Sequence, residues 1–288
     1  MTHRAFDVLG NIAIVNFPLG FKLKEKKRFA DKILKNQKNI RTVLEKSGKI
    51  KGRLRKISTE HIAGEKTKEV LYKENGCVFR FNIDTTYFSS RLSNERKEIA
   101  KKIKKGEEVL VMFAGVSPYS IVIAKNSKAK KIYSNEINRV ANKYAKLNLE
   151  LNKVKDRVEL VPGDIKRLVK TGKLKEKNTK KSKISCATKS RAVSTHRTVL
   201  KDFVGFDVIV MPRPRLKNSF LKEAFYLSKK GTRIFYYDFC SAGEENKIIE
   251  KIKDEASRAK KKIRILKVKK AGEIAPFKIR LRVDFKIV

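Results

Sequence analysis

The stretch Val109-Leu-Val-Met-Phe-Ala-Gly-Val-Ser-Pro-Tyr-Ser-Ile-Val-Ile-Ala124, followed by Lys131-Ile-Tyr-Ser-Asn-Glu-Ile-Asn138, limits this chain to few folds. An apolar run of strand length meets a glycine, a short apolar helix follows, and a second strand ends in an acid. Gly115 lets the backbone turn sharply and approach a ligand closely. Glu136 lies 21 residues beyond Gly115. At that distance a nucleotide-binding βαβ unit sets a carboxylate against ribose hydroxyls. A purely structural turn before a helix reads the same way.

The turn lacks the three glycines of a dinucleotide fingerprint, which argues against a nicotinamide cofactor. One glycine and a distal acid suit S-adenosyl-L-methionine, which has a ribose but no pyrophosphate. Around this unit strands and helices alternate. Strands are expected at Glu108–Phe113, Lys131–Asn135, Val158–Pro162, Asp207–Met211 and Arg233–Phe239, and helices at Tyr119–Lys125, Val140–Leu151 and Ser219–Leu227. Such alternation implies an α/β domain with helices on both faces of a mainly parallel sheet. An amphipathic helix begins near Ser93 and ends before Gly106, and a basic helix over Glu244–Lys262 leads into strands at Ile263–Val268 and Phe277–Ile287. The last strand alternates residue by residue, as in an antiparallel hairpin.

The first 84 residues read differently. Strand patterns at 6–17, 40–46, 51–62 and 69–83 surround one helical segment at 22–35, and Asn75-Gly76 marks a hairpin turn. We expect a small basic α+β domain over 1–84 and the larger α/β domain over 85–288. Residues 172–201 are rich in Lys, Ser and Thr. They read as a mobile insertion, either a phosphate-contacting loop or a solvated tether.

Charge names the partner class. Seventy-two Lys and Arg against 30 Asp and Glu give +42, more than solubility requires. Such self-repulsion suits a polyanionic partner, and nucleic acid is the natural one. No run of 18 apolar residues and no signal-peptide core occur, so neither a membrane span nor export is expected. A membrane-surface role is disfavoured because no aromatic-rich amphipathic helix accompanies the charge. The expectation is a cytoplasmic, monomeric protein. Cys77, Cys186 and Cys240 and the three histidines are scattered, so no metal site is expected.

The ends of the four strands form one constellation: Gly115, then Glu136-Ile137-Asn138, then Gly163-Asp164-Ile165, then Met211-Pro-Arg-Pro214. Ligands bind beyond the carboxyl ends of such strands. Asp164 is placed to accept an adenine amino group. Prolines fix φ and so preorganise a turn whose carbonyls can face a substrate base.

Arg91-Leu-Ser-Asn-Glu-Arg96, Met112-Phe-Ala-Gly-Val, Glu136-Ile-Asn, Leu149-Glu-Leu-Asn-Lys-Val, Gly163-Asp and Met211-Pro-Arg-Pro, in this order, resemble the archaeal and eukaryotic tRNA (guanine-37-N1)-methyltransferase family. Ile62-Ala-Gly-Glu-Lys-Thr-Lys-Glu, Lys73-Glu-Asn-Gly-Cys and Phe6-Asp-Val-Leu-Gly-Asn-Ile-Ala-Ile-Val carry the same resemblance. It covers nearly the whole chain outside the Lys-rich insertion. It implies a class I S-adenosylmethionine-dependent methyltransferase (Rossmann-like) domain after a small RNA-binding domain, acting on the tRNA anticodon arm. The family's N-terminal tRNA-elbow domain is expected to be absent.

The resemblance also implies roles. Glu95 matches the proposed general base, Arg55 the arginine that holds guanine O6, Tyr87 a tyrosine near the target base, and Arg96 a cofactor-contacting arginine. Met112, Phe113, Ala114, Gly115, Glu136, Ile137, Asn138, Asp164 and Ile165 match the cofactor pocket, with Pro212 and Pro214 in the turn beside the base. Departures from the pattern are Val111 for Asp, Ser117-Pro118 for Gly-Pro, Asn138-Arg139 for Asn-Pro, and Pro212-Arg213-Pro214 for Asn-Leu-Pro or Asn-Pro-Pro. A Pro-Leu-Pro version looks like the archaeal branch that also methylates the tricyclic wyosine precursor, 4-demethylwyosine. Competing readings are the aminocarboxypropyl transferase of the wyosine pathway and a non-catalytic tRNA-binding protein. Retention of Glu95 favours methyl transfer.

Overall fold

The computed structural model describes residues 6–48, 52, 54, 57–172 and 205–288. Arg55, Cys186, His3, His196 and nearly all of the expected insertion lie outside the described residues.

The first sheet runs β1 (Phe6–Leu9), β2 (Ile12–Val15), β3 (Thr42–Lys46), β4 (Thr59–Gly64). β2 and β3 are parallel and are joined through helix α1 (Leu23–Asn36); the other pairs are antiparallel. Ala30 and Ile33 of α1 pack on Val15, Val43 and Ile62. Of the strand expected over 51–62, β4 takes up Thr59 onward and Gly52 adopts a left-handed φ of 66°, while residues 51, 53, 55 and 56 lie outside the described residues.

β5 (Glu69–Glu74) and β6 (Cys77–Asn82) form a separate hairpin. Asn75 and Gly76 both take positive φ, 49° and 71°, as a two-residue turn of this twist requires. The free edge of β6 is not left open. Helix α4 (Arg139–Leu151) runs beside it with Tyr144, Asn148 and the capping Asn152 at four-residue spacing. Asn148 Oδ1 accepts from the Arg80 N–H at 2.8 Å, and its amide donates to the Val116 carbonyl at 3.2 Å. Asn152 both accepts from and donates to the Val78 backbone, at 2.8 and 2.6 Å. Tyr144 donates to Glu69 at 2.7 Å. A polar ridge on a helix thus substitutes for a neighbouring strand.

The second sheet has the order β12 (Ile263–Ala275), β13 (Lys278–Ile287), β11 (Ser228–Ser241), β10 (Phe206–Met211), β7 (Glu108–Met112), β8 (Lys131–Glu136), β9 (Val158–Pro162). β9, β8, β7, β10 and β11 are parallel; β13 is antiparallel to both its neighbours. Helices α2 (Ser93–Lys102), α3 (Pro118–Asn126) and α4 pack on one face, meeting Val109, Val111 and Tyr237. Helices α5 (Ile165–Lys170), α6 (Leu221–Tyr226) and α7 (Glu245–Arg258) cover the other, meeting Leu110, Met112 and Ile234. This is the doubly covered parallel sheet with a C-terminal hairpin that the alternation implies. α5 escaped the periodicity because it is 6 residues long. Strand order reverses between β7 and β10, and such a switch point opens a crevice at the carboxyl ends of the strands.

The ridge on α4 makes a stability prediction. Asn148→Ala leaves the Arg80 N–H and the Val116 carbonyl without partners, and we expect a loss of about 2–4 kcal/mol in urea unfolding.

Candidate active site

The crevice is a cavity of about 350 Å³ at the carboxyl ends of β7, β8, β9 and β10. The turn after β7 is tight: Phe113, Gly115 and Ser117 all have positive φ, 58°, 58° and 67°. A Cβ on Gly115 would stand 3.2 Å from the Tyr87 carbonyl oxygen, so glycine serves both the conformation and the close approach. Ser117 compensates for its strained backbone with a hydroxyl contact to Ser134 at 2.8 Å.

Glu136 organises this end. One carboxylate oxygen accepts from the Gly115 N–H at 2.8 Å, and the other from the Asn138 N–H at 2.7 Å. The Glu136 carbonyl also accepts from the Gly163 N–H at 2.8 Å. Asn138 caps α4 through the Val140 N–H and donates its amide to the Thr85 carbonyl at 2.8 Å. Asp164 caps α5, accepting from the Lys166 N–H at 3.0 Å. Three loops are therefore tied through one acid.

The opposite end is the Pro212–Pro214 turn. Neither proline has an N–H, and the Arg213 N–H is committed to the Met211 carbonyl at 2.7 Å. The main chain of the turn thus has only acceptors left for a ligand. Leu54, Leu92, Phe239, Ile274 and Arg280 complete this wall, with the Arg280 guanidinium 5.2 Å from the Phe239 ring centre. A second cavity of about 500 Å³ shares Tyr87, Ile274 and Arg280 and extends to Lys46 and Ile57 beside the first sheet.

Tyr87, Phe113, Gly115, Glu136, Ile137, Asn138, Asp164, Ile165, Pro212 and Pro214 are brought together around the first cavity. Four expected residues are not. Met112 and Ala114 point into the two cores that flank the sheet. Arg96 faces away from the cavity, because its guanidinium makes a bidentate buried pair with Glu74 and donates to the Ser89 carbonyl at 2.9 Å. It stacks 5.0 Å from the Phe88 ring centre. Glu95 is also buried and off the cavity wall. It accepts from Arg282 at 2.5 Å, Lys269 at 2.8 Å and the Tyr237 hydroxyl at 2.9 Å. Leu92, one turn earlier on the helical segment, and Phe239, two residues beyond Tyr237, do line the cavity. Glu95 therefore stands behind the wall rather than in it. Of the residues that sequence reading passed over, Phe239, Ile274 and Arg280 become neighbours through the β11–β13 and β12–β13 registers, and Leu92 joins them from the residue before α2.

The group behind the wall is a closed charge network. Three carboxylates, Glu95, Glu98 and Asp284, face Arg282, Lys269 and Lys102. Burial pushes the Tyr237 hydroxyl well above its ordinary range, so it remains a donor to Glu95. Hydrogen bonding from Arg282, against some desolvation and with help from Lys269, holds the Glu98 carboxyl down at about 2. Among the described residues no group of His, Cys, Asp and Glu is arranged to hold a metal ion. No helix among them is long and apolar enough to cross a membrane.

A cavity at this switch point, edged by an acid two strands over from a proline turn, defines a class I methyltransferase. Residues 70–179 match the TRM5/TYW2 methyltransferase domain, and residues 2–67 match the TYW2 N-terminal domain. The chain is 32% identical to the tRNA (guanine(37)-N(1))/4-demethylwyosine(37)-methyltransferase Taw22 of Nanoarchaeum equitans (strain Kin4-M), over 99% of this chain and 100% of that one. It is 31% identical to the tRNA (guanine(37)-N(1))-methyltransferase Trm5b of Pyrococcus abyssi, over 98% of this chain and 74% of the relative, whose crystal structure superposes with a TM-score of 0.77. A solved complex of aTrm5 with tRNALeu superposes with a TM-score of 0.76 at 26% identity, over 99% of this chain and 72% of that one. The chain belongs to the TRM5/TYW2 methyltransferase family.

The charge network predicts an acid limb of stability. Glu98 is held below its ordinary value of 4.5, so its contribution is complete above that pH and is lost as pH falls from 4.5 towards about 2. We expect the wild-type Tm to drop more steeply across this window than that of Glu98→Gln, measured by calorimetry at matched ionic strength.

Proposed function

We propose that this enzyme transfers a methyl group from S-adenosyl-L-methionine to N1 of guanine at tRNA position 37, and that it also methylates 4-demethylwyosine at the same position. The observation that carries this reading is one continuous cavity with a ribose-type acid at one end and an acceptor-only turn at the other. The Nanoarchaeum equitans relative, matched over 99% of this chain and 100% of its own length, bears a name with both activities. The +42 charge suits a tRNA partner, and we place the reaction in the cytoplasm with the chain acting as a monomer.

The residues at the first end fit an adenosyl group. The Glu136 carboxylate, held by the Gly115 and Asn138 N–H groups at the cavity edge, is assigned to the ribose hydroxyls. Asp164, on the cavity wall, is assigned to an exocyclic amine, and Phe113, Ile137 and Ile165 provide the apolar walls. When bound, S-adenosylmethionine supplies an electrophilic methyl group.

The protein's own task is to present N1 as a nucleophile. Guanine N1 carries a proton at neutral pH, and that proton must go to a carboxylate as the N–C bond forms. We assign Glu95 this role, acting from just behind the wall beside Leu92, with Tyr237, Arg282 and Lys269 fixing its position. Arg55, adjacent in sequence to the cavity-lining Leu54, is assigned to O6, where negative charge develops. Tyr87, shared by both cavities, is assigned to the face of the flipped base.

Labelled methyl transfer to unmodified guanine-37 tRNA, and to tRNA-Phe carrying the tricyclic base, tests the reading. Product mass separates methyl from aminocarboxypropyl transfer. Glu95→Ala should lower kcat by about 10²–10⁴-fold, with cofactor affinity unchanged; a near wild-type rate would assign Glu95 to the charge network alone. No transfer to either tRNA, with tRNA still bound tightly, would sink the methyltransferase reading. Glu136→Ala should weaken S-adenosylmethionine binding in calorimetry about tenfold or more, because a hydrogen bond to a charged group contributes about 1.5–3 kcal/mol.

A further inference from the structure

Between Met211 and Leu221 no helix or strand fixes the chain, although this segment forms the substrate end of the cavity. Its shape must come from side chains. Arg213, at the centre of the turn, is only 2% exposed. Its guanidinium forms a buried ion pair with Asp238, and Nη2 donates to the Leu216 carbonyl at 2.6 Å and the Asn218 carbonyl at 3.0 Å. Asp238 is itself saturated. It accepts from the Tyr236 hydroxyl at 2.7 Å, Lys251 at 3.2 Å and the Phe239 N–H at 2.8 Å. Burial pushes the Asp238 carboxyl up, but the Arg213 charge, the Tyr236 hydroxyl and Lys251 together outweigh it and hold it below the usual carboxylate range.

We propose that Arg213 is a positioning residue that fixes the proline turn against the target base through its buried clamp on Asp238, Leu216 and Asn218. The inference rests on the functional reading above. One side chain ties the turn to the end of the loop and to strand β11, at the residue before the cavity-lining Phe239. Nη1 and Nη2 of the guanidinium are committed to these partners, and the main chain at the two prolines offers the base acceptors. A buried charge pair is costly to desolvate compared with apolar residues of like volume, so its presence here marks geometry rather than stability.

The test measures kcat and KM for tRNA methylation, and S-adenosylmethionine affinity and stoichiometry by calorimetry, in Arg213→Leu, Arg213→Lys and Asp238→Asn. Rates are taken per cofactor-binding site, so a loss of folded protein alone leaves them unchanged. We expect Arg213→Leu to lower kcat at least tenfold on both tRNA substrates, with KM for tRNA and cofactor Kd within threefold of wild type. Asp238→Asn should show the same split, and Arg213→Lys an intermediate rate, since lysine can pair with Asp238 but cannot span both carbonyls. An unchanged kcat per site in Arg213→Leu, or in Asp238→Asn if the former does not fold, would overturn the proposal. If the wild type binds cofactor but methylates neither tRNA, the functional reading fails by itself. The clamp is then decided by amide hydrogen exchange over 215–220. Faster exchange in Arg213→Leu supports it, and unchanged exchange refutes it.

Discussion

The structure around the cavity depends on the Glu136 carboxylate. It receives the Gly115 N–H from the turn after β7 and the Asn138 N–H from the start of α4, while its carbonyl receives Gly163 from the turn after β9. The turns after β7 and β9 have positive φ at Gly115 and Gly163, and Phe113 and Ser117 adopt it without being glycine. Left-handed backbone at such residues persists only when its surroundings over-determine it. A hydrogen bond to a charged acceptor is about twice as strong as a neutral one. One acid with two such bonds therefore holds open a turn that would otherwise relax.

A second theme is what a chain with 72 basic residues does with those it buries. Arg96, Arg213 and Arg282 are all nearly sealed from solvent, and each meets carboxylates: Glu74, Asp238, and the set Glu95, Glu98 and Asp284. The three pairs stand behind the cavity in different places. Arg96 fastens the β5–β6 hairpin to α2, Arg213 fastens the proline turn to β11, and Arg282 fastens α2 to the C-terminal hairpin. The planar, multi-donor guanidinium suits such joints because it bonds several acceptors in fixed directions. Much of the charge excess is left for the surface, where a polyanion can use it.

Local signals in the sequence were strong where a residue's role is local. Alternating apolar runs located the parallel strands, Asn75-Gly76 located a hairpin, and the glycine-to-acid interval located Glu136. Ten of the expected pocket residues meet around one cavity; nine sit at or just beyond the ends of β7, β8, β9 and β10, where topology alone brings them together, and Tyr87 arrives from the segment between β6 and α2. Roles set by partners distant in sequence were not legible. Asn-Glu-Arg at 94–96 suggests a catalytic pair, yet Glu74, Tyr237, Lys269 and Arg282 decide where Glu95 and Arg96 point. Tyr144, Asn148 and Asn152 look like an ordinary polar helix face until β6 is placed against them.

The two ends of the cavity are built from opposite materials, and this bears on the proposed transfer to two bases of different size. The cofactor end is specified by directional bonds from backbone N–H groups to one acid, so a small displacement breaks it. The substrate end presents acceptors on prolines, whose fixed φ removes the need for a hydrogen-bond ladder. What it lacks in regular structure it gains from Arg213, whose Nη1 and Nη2 are bonded to Asp238, Leu216 and Asn218. Side-chain bonds thus fix a turn that has no ladder of its own, which is what the proposed transfer to a purine and to its tricyclic derivative, at a single position, asks of the protein.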